Sequence, residues 1–167
     1  MTDQSVLAVY PGSFDPITYG HIDVIKRSVA IFPNLVVAVV GNPYKKSLFD
    51  FSERVEMIRS AVGDNKNIKI DTFNGLLMDY VCSINAKVVI RGLRAISDFE
   101  YEFQMALSNN KLNSNVETLF MMSSAQYSYV SSKLIKEIAQ LGGDISAFVP
   151  DSVALKLNEK LEQFKRR

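Results

Sequence analysis

The chain has a single cysteine, Cys82, among its 167 residues. A lone cysteine forms no intramolecular disulfide, and a cysteine-based metal site needs further ligands. Its surroundings, Asp79-Tyr80-Val81-Cys82-Ser83-Ile84, read as a buried helix face. A core thiol is expected there rather than a nucleophile. Long apolar runs are also missing. None approaches the ~20 residues that cross a bilayer, and Met1 to Gln4 lead into a strand without a signal-peptide pattern. A cytoplasmic protein with no membrane partner is expected. Neither sign of charge prevails: 19 Lys and Arg against 18 Asp and Glu leave +1. A generally basic surface for duplex DNA is therefore not indicated, and no nucleic-acid partner is expected. There is no Walker A lysine loop and no G-x-G-x-x-G. P-loop phosphotransfer and ordinary dinucleotide redox chemistry both lose ground. Repeats, low-complexity segments and linkers are lacking as well.

A 47% hydrophobic and 22% charged composition is ordinary for a soluble globular chain. The length suits one domain over residues 1–167, large enough to bury most of its apolar surface in a single core. Strand patterns recur at Ser5 to Tyr10, Leu35 to Val40, Asn67 to Phe73, Lys87 to Ile90 and Glu117 to Met122. Several are almost wholly apolar, as in parallel strands covered on both faces. Helical spacing fills the intervals. Ile22 to Phe32 comes first, then a helix opening at Asp50-Phe51-Ser52-Glu53. Gly75 to Ile84 is next, with Leu76, Leu77, Tyr80, Val81 and Ile84 apolar. Asp98 to about Leu112 follows behind a capping box of Ser97 and Glu100. Two more helices close the chain, one stopped by Gly142-Gly143 and one started by Val149-Pro150-Asp151. Strands alternate with helices, so the pattern predicts an α/β fold: a Rossmann-like parallel five-stranded sheet, helices on both faces, and C-terminal helices.

Four segments at the C-terminal ends of strands suit phosphate. The first is the loop Tyr10-Pro11-Gly12-Ser13-Phe14-Asp15-Pro16-Ile17-Thr18-Tyr19-Gly20-His21, which holds the only histidine. It fits a mononucleotide site at a helix N-terminus, and equally a tight turn with a capping histidine. The second is Lys45-Lys46, read more readily as a solvated pair. The third is Arg91-Gly92-Leu93-Arg94. Arginine's planar fork matches phosphate, and a cation directly after a buried strand calls for a partner. The fourth is Ser128 to Lys133, the end of a hydroxyl-rich run that starts at Ser123. It is denser in hydroxyls than a cap requires and resembles an anion cradle. Lys136, one turn on, either joins that cradle or faces solvent. Asp98 and Glu102, at i, i+4 spacing, either hold the arginines or contact a ribose.

Together these segments closely resemble the phosphopantetheine adenylyltransferase family. Thr18-Tyr19-Gly20-His21 matches the T/H-x-G-H signature of the nucleotidyltransferase superfamily. The narrower likeness lies in three other stretches. They are Tyr10 to Pro16, Arg91 to Ala95 with Asp98 to Glu102, and Val130-Ser131-Ser132 with Lys136-Glu137. The resemblance covers nearly the whole chain. It implies adenylyl transfer from ATP to 4′-phosphopantetheine, giving dephospho-coenzyme A and pyrophosphate by direct in-line attack. Catalytic roles fall to His21, Lys45 and Arg91, with Ser13, Lys45, Leu77 and Arg91 toward phosphopantetheine. Toward ATP stand Ser13, Phe14, His21, Gly92, Leu93, Arg94 and Glu102, then Tyr127, Ser128, Tyr129, Val130, Ser131, Ser132 and Lys133. Ser13 stands where many relatives have Thr, which keeps the hydroxyl. Lys133 stands where some have a third serine. Mg²⁺ is expected with the ATP phosphates and no protein metal ligand is assigned. Dephospho-coenzyme A and coenzyme A are the further ligands implied, and a homohexamer the assembly. A transferase for another phosphate acceptor, or a non-catalytic nucleotide sensor, are the rivals. The Arg91 to Glu102 segment opposes the first, and retention of His21, Lys45 and Arg91 opposes the second.

Overall fold

The computed structural model describes residues 6–41, 47–94 and 96–165, the side chains at 96–98 and 164–165 excepted. Five strands form one sheet: β1 (Leu7–Gly12), β2 (Asn34–Gly41), β3 (Ile68–Asn74), β4 (Val88–Leu93) and β5 (Glu117–Met122). Their order is β3-β2-β1-β4-β5, and every neighbouring pair is parallel. The helices are α1 (Tyr19–Ile31), α2 (Phe51–Val62), α3 (Leu77–Ser83), α4 (Ile96–Leu112), α5 (Ser132–Gln140) and α6 (Asp151–Lys165). This is the Rossmann-like α/β fold that the sequence pattern predicts.

Strand alternation sorts the core onto two faces. Ala8, Tyr10, Val37, Val39, Val88 and Ile90 pack with residues of α1, α2, α5 and α6. The intervening Val9, Val36, Ala38 and Val89 pack with Met78 and Val81 of α3. Phe120 alternates with Met121, which packs on the first face, and Phe99 of α4 meets Phe120 edge-on. α4 therefore lies with α3 on the second face.

The ladders differ in length, and that difference positions the site. β1 pairs with β2 from Leu7–Asn34 to Gly12–Val39, and β4 with β5 from Val88–Glu117 to Leu93–Met122. β1 and β4 pair only at Ala8–Val88 and Val9–Val89. Beyond Val9 the sheet splits. Pro11 has no N–H to carry a ladder on, and its carbonyl instead accepts Arg91 Nη1 at 3.2 Å. β1 and β4 are also where the chain changes face, through α1 on one side and α4 on the other. Such switch points are where open α/β sheets bind ligands.

Several expectations shift. The Ser5 start of the first strand and the Lys45-Lys46 pair lie outside the described residues. α1 begins at Tyr19, a turn before Ile22, because Thr18 caps it. α4 already includes Ile96, so the helix begins before Ser97 and not after it. Leu76 is an exposed N-cap, and Met78 takes the inward position. Cys82 is exposed, not a core thiol. It lies one residue past buried Val81, on the outer side of α3, where Asn113 Nδ2 approaches its sulfur at 2.9 Å.

Candidate active site

The split between β1 and β4 opens into a cleft of about 290 Å³. β1 and its loop contribute Tyr10, Pro11, Gly12 and Ser13. The start of α1 contributes Thr18, Gly20 and His21. β4 and its exit contribute Arg91, Gly92 and Arg94, α4 contributes Glu102, and the approach to α5 contributes Val130 to Lys133. Three of the four phosphate-suited segments thus share one cleft. Space is tight at Gly12: a Cβ there would lie 2.9 Å from the Phe14 ring.

His21 is the third residue of α1 and completes a reciprocal cap. Its amide donates to Thr18 Oγ1 at 3.3 Å, and its Nδ1 accepts the Thr18 N–H at 3.1 Å. An occupied Nδ1 lone pair leaves the proton of the neutral ring on Nε2. Burial, helped by the nearby Arg94 charge, lowers the imidazole pKa from 6.5 to about 4. The ring is therefore neutral near pH 7 and able to donate. The fully buried Phe14 meets it edge-on at 5.1 Å. The capping histidine and the site histidine are one residue in both roles.

Arg91 is held on both sides. Its Nε donates to Glu102 Oε2 at 2.7 Å, Nη2 donates to Oε1, and Nη1 reaches the Pro11 carbonyl. Of its five N–H donors, two remain for a ligand. Glu102 is thus an arginine holder, one of the two roles left open by the sequence. Arg94 Nη1 donates to the Val130 carbonyl at 3.3 Å, joining the β4 exit to the approach to α5. Ser131 caps α5 by accepting the Leu134 amide at 3.1 Å. Lys133 is largely exposed and lies 3.9 Å from Glu137.

Some expected site residues stand back from the cleft. Phe14 and Leu93 are buried beneath it. Tyr127 packs near Tyr19, with ring centroids 6.2 Å apart. Tyr129 is exposed, with its ring edge-on to Phe148. Ser128 turns its hydroxyl onto the Ala125 carbonyl at 2.9 Å. Leu77 opens α3 and packs against the second-face core. Lys45 lies outside the described residues.

Other side chains that shape the site carry weak sequence signals. Tyr10 is buried, and burial raises its phenol pKa, so the hydroxyl stays protonated. Arg54 is buried on the apolar side of α2, over the Phe51 ring. It donates to the carbonyls of Ser13 at 2.9 Å and Val40 at 3.2 Å, tying the opening loop to the end of β2. A charge among Phe51, Val55 and Ile58 was the available sign. Asp23 accepts the Ser124 hydroxyl at 2.9 Å, fixing the end of β5, where Ser123 lines the cleft, against α1.

A parallel sheet split at its switch point and flanked by arginines, hydroxyls and a neutral histidine defines a nucleotide-binding transferase. The family model described as cytidylyltransferase-like matches residues 9–138, so the chain belongs to that class. Within it, the chain belongs to the phosphopantetheine adenylyltransferase family. It is 55% identical to the protein of that name from Caldanaerobacter subterraneus subsp. tengcongensis, over 94% of this chain and 98% of the relative. Identity is 54% to the Geobacter metallireducens protein of that name, over 94% and 96%. Among solved structures, a Vibrio parahaemolyticus protein assigned as a nicotinate-nucleotide adenylyltransferase superposes with a TM-score of 0.67. It covers 92% of this chain and 98% of its own at 16% identity, a likeness of fold alone.

Proposed function

We propose that the chain transfers the adenylyl group of ATP to 4′-phosphopantetheine, yielding dephospho-coenzyme A and pyrophosphate. An oxygen of the phosphopantetheine phosphate attacks the α-phosphorus of ATP, and the bond to the β-phosphate oxygen breaks. That nucleophile has its second pKa near ~6 and is largely ionised at neutral pH, so no general base is needed. His21 is badly placed to be one, since its free lone pair already accepts the Thr18 N–H. As an Nε2–H donor it suits the charge that builds on the α-phosphate. Attack is direct and in line, and positioning supplies the rest.

Arg91, oriented by Glu102, and Lys45 hold the acceptor phosphate, with Ser13 between the two substrates. Leu77 borders the pantetheine arm. Phe14, Gly92, Leu93, Arg94 and Glu102 stand toward ATP, and Tyr127 to Lys133 enclose the adenine and the outgoing phosphates. Among the described residues no three His, Cys, Asp or Glu side chains gather as metal ligands. The cationic side chains of the cleft suit the phosphates themselves, so Mg²⁺ would enter with ATP. Bound there, Mg²⁺ would neutralise phosphate charge. Dephospho-coenzyme A and coenzyme A are the other ligands of this cleft.

Residues 1–167 act as one domain, in a cytoplasmic homohexamer. Among the described residues no helix is long and apolar enough to cross a membrane. The assembly draws support from α4, where Phe99, Tyr101, Phe103, Met105, Leu107 and Leu112 are all exposed. So many exposed apolar side chains on one helix mark a surface that is normally covered, and further copies of the chain would cover it.

One observation carries the reading: Ser13, His21, Arg91 and Arg94 share one cleft in a chain 55% identical to a protein named for this reaction. The test is turnover. Purified protein with ATP, 4′-phosphopantetheine and Mg²⁺ is expected to release pyrophosphate and dephospho-coenzyme A in equal amounts. Pyrophosphate only with another acceptor, such as nicotinate mononucleotide, would overturn it.

A further inference from the structure

Asp15 sits behind the cleft and is 5% exposed. Its Oδ1 accepts the Phe49 N–H at 2.9 Å, and Oδ2 accepts the Leu48 N–H at 3.0 Å and Lys136 Nζ at 2.7 Å. One helical turn before Lys136, Ser132 Oγ donates to the Pro16 carbonyl at 2.7 Å. Residues 132 and 136 share a face of α5. The helix thus grips two consecutive residues of the opening loop at two points. The parts so joined both line the cleft: one contributes Ser13 and His21, the other Val130 to Lys133. Neither Asp15 nor Lys136 lines the cleft itself.

A buried ion pair is a weak source of net stability, because desolvation offsets the attraction. Burial alone would raise the Asp15 pKa. The Lys136 hydrogen bond and the two amides outweigh it and hold the carboxyl below its ordinary value. The group is ionised and fully partnered, and its partners come from two distant segments. Such a pair is well satisfied only over a narrow range of spacing. In-line transfer is sensitive to spacing, and a shift of 1 Å can lower the rate on the order of 10²-fold.

We propose that Asp15 and Lys136 are positioning residues for adenylyl transfer. Their ion pair sets the gap between the loop wall and the helix wall, and so the seat of the ATP phosphates. The proposal rests on the reading that this cleft takes ATP. Because α5 opens on the nucleotide side, loss of the pair falls on ATP more than on the acceptor.

The test uses the full-length protein and compares Lys136→Met, Lys136→Arg and the double variant Asp15→Asn/Lys136→Met with wild type. ATP and 4′-phosphopantetheine affinities are measured by calorimetry, and kcat and KM well below each Tm. Lys136→Met is expected to weaken ATP binding and lower kcat by at least ~10-fold each, with phosphopantetheine affinity within ~3-fold of wild type. Lys136→Arg is expected to recover most of both. The double variant leaves no buried charge unpaired, so it tests the same loss if the single variant does not fold. Wild-type ATP affinity and kcat in either Met variant would overturn the proposal. So would equal weakening of both substrates without rescue by Arg, which marks general loosening. A wild-type protein that neither binds ATP nor turns over would instead remove the functional reading on which the proposal stands.

Discussion

His21 is the only imidazole in the chain, so one resonance reports its protonation in untagged protein. With its pKa lowered to about 4, the C2 proton is expected to show no titration between pH 6 and 8; a midpoint near 6.5 would contradict the half-buried, neutral ring. The same shift bears on stability. The folded state disfavours the proton, so the unfolded chain binds it first as pH falls. The contribution of this group is complete above about pH 6.5 and is lost toward pH 4. Acidification from pH 7 to 5 should therefore lower the Tm of wild type more than that of His21→Gln. In catalysis, His21→Ala should leave ATP binding nearly intact and reduce kcat by at least ~10², measured at saturating substrates. Arg91→Ala should raise KM for phosphopantetheine as well as slow turnover; a change confined to ATP affinity would reassign it. At this scale the sequence showed which residue types matter but not how they divide the work. That Glu102 is turned to Arg91, and that Lys136 is turned inward to Asp15, depends on contacts across 11 and 121 residues. No local pattern encodes them.

Among the elements, α1 matters most, because it places His21. Its start lies inside the motif loop, where Thr18 serves as cap and signature residue together. That double use is why the apolar spacing alone put the helix a turn late. Replacing Thr18 with Ala should cost about 1 kcal/mol of stability, since the His21 amide loses its side-chain acceptor while the backbone N–H of residue 18 still donates to Nδ1. Chemical denaturation would report the loss, and a variant as stable as wild type would count against the cap. α4 shows an error in the same direction. Ser97 and Glu100 have the spacing of a capping box, yet the helix has already begun at Ile96. The Cys82 misreading has a similar source: α3 is only seven residues long, so Met78 and Val81 fill its inner side and leave Cys82 outside.

For the whole molecule, alternation of strand and helix made the sheet legible, down to five parallel strands. The strand order was not, since nothing local says that β4 returns to sit beside β1. Nor did any local pattern say that their pairing would stop after two residue pairs. The exposed apolar run on α4 leads to a further expectation. Leu107→Glu should shift the mass seen by light scattering toward smaller species, because a charge there opposes burial against another copy. Unchanged mass would remove α4 from the contact.

The short β1–β4 ladder bears on how the chain comes together. Ala8 and Val88 are the first paired residues across that seam, and some eighty positions of chain must be organised before they meet. Contacts of such long range are entropically late to form. The two halves of the sheet, β1–β2–β3 and β4–β5, can each assemble from nearer neighbours. The cleft proposed to bring the substrates together therefore lies at the seam between the two halves of the sheet, and amide exchange along Ala8 to Val9 and Val88 to Val89 would record how late that seam closes.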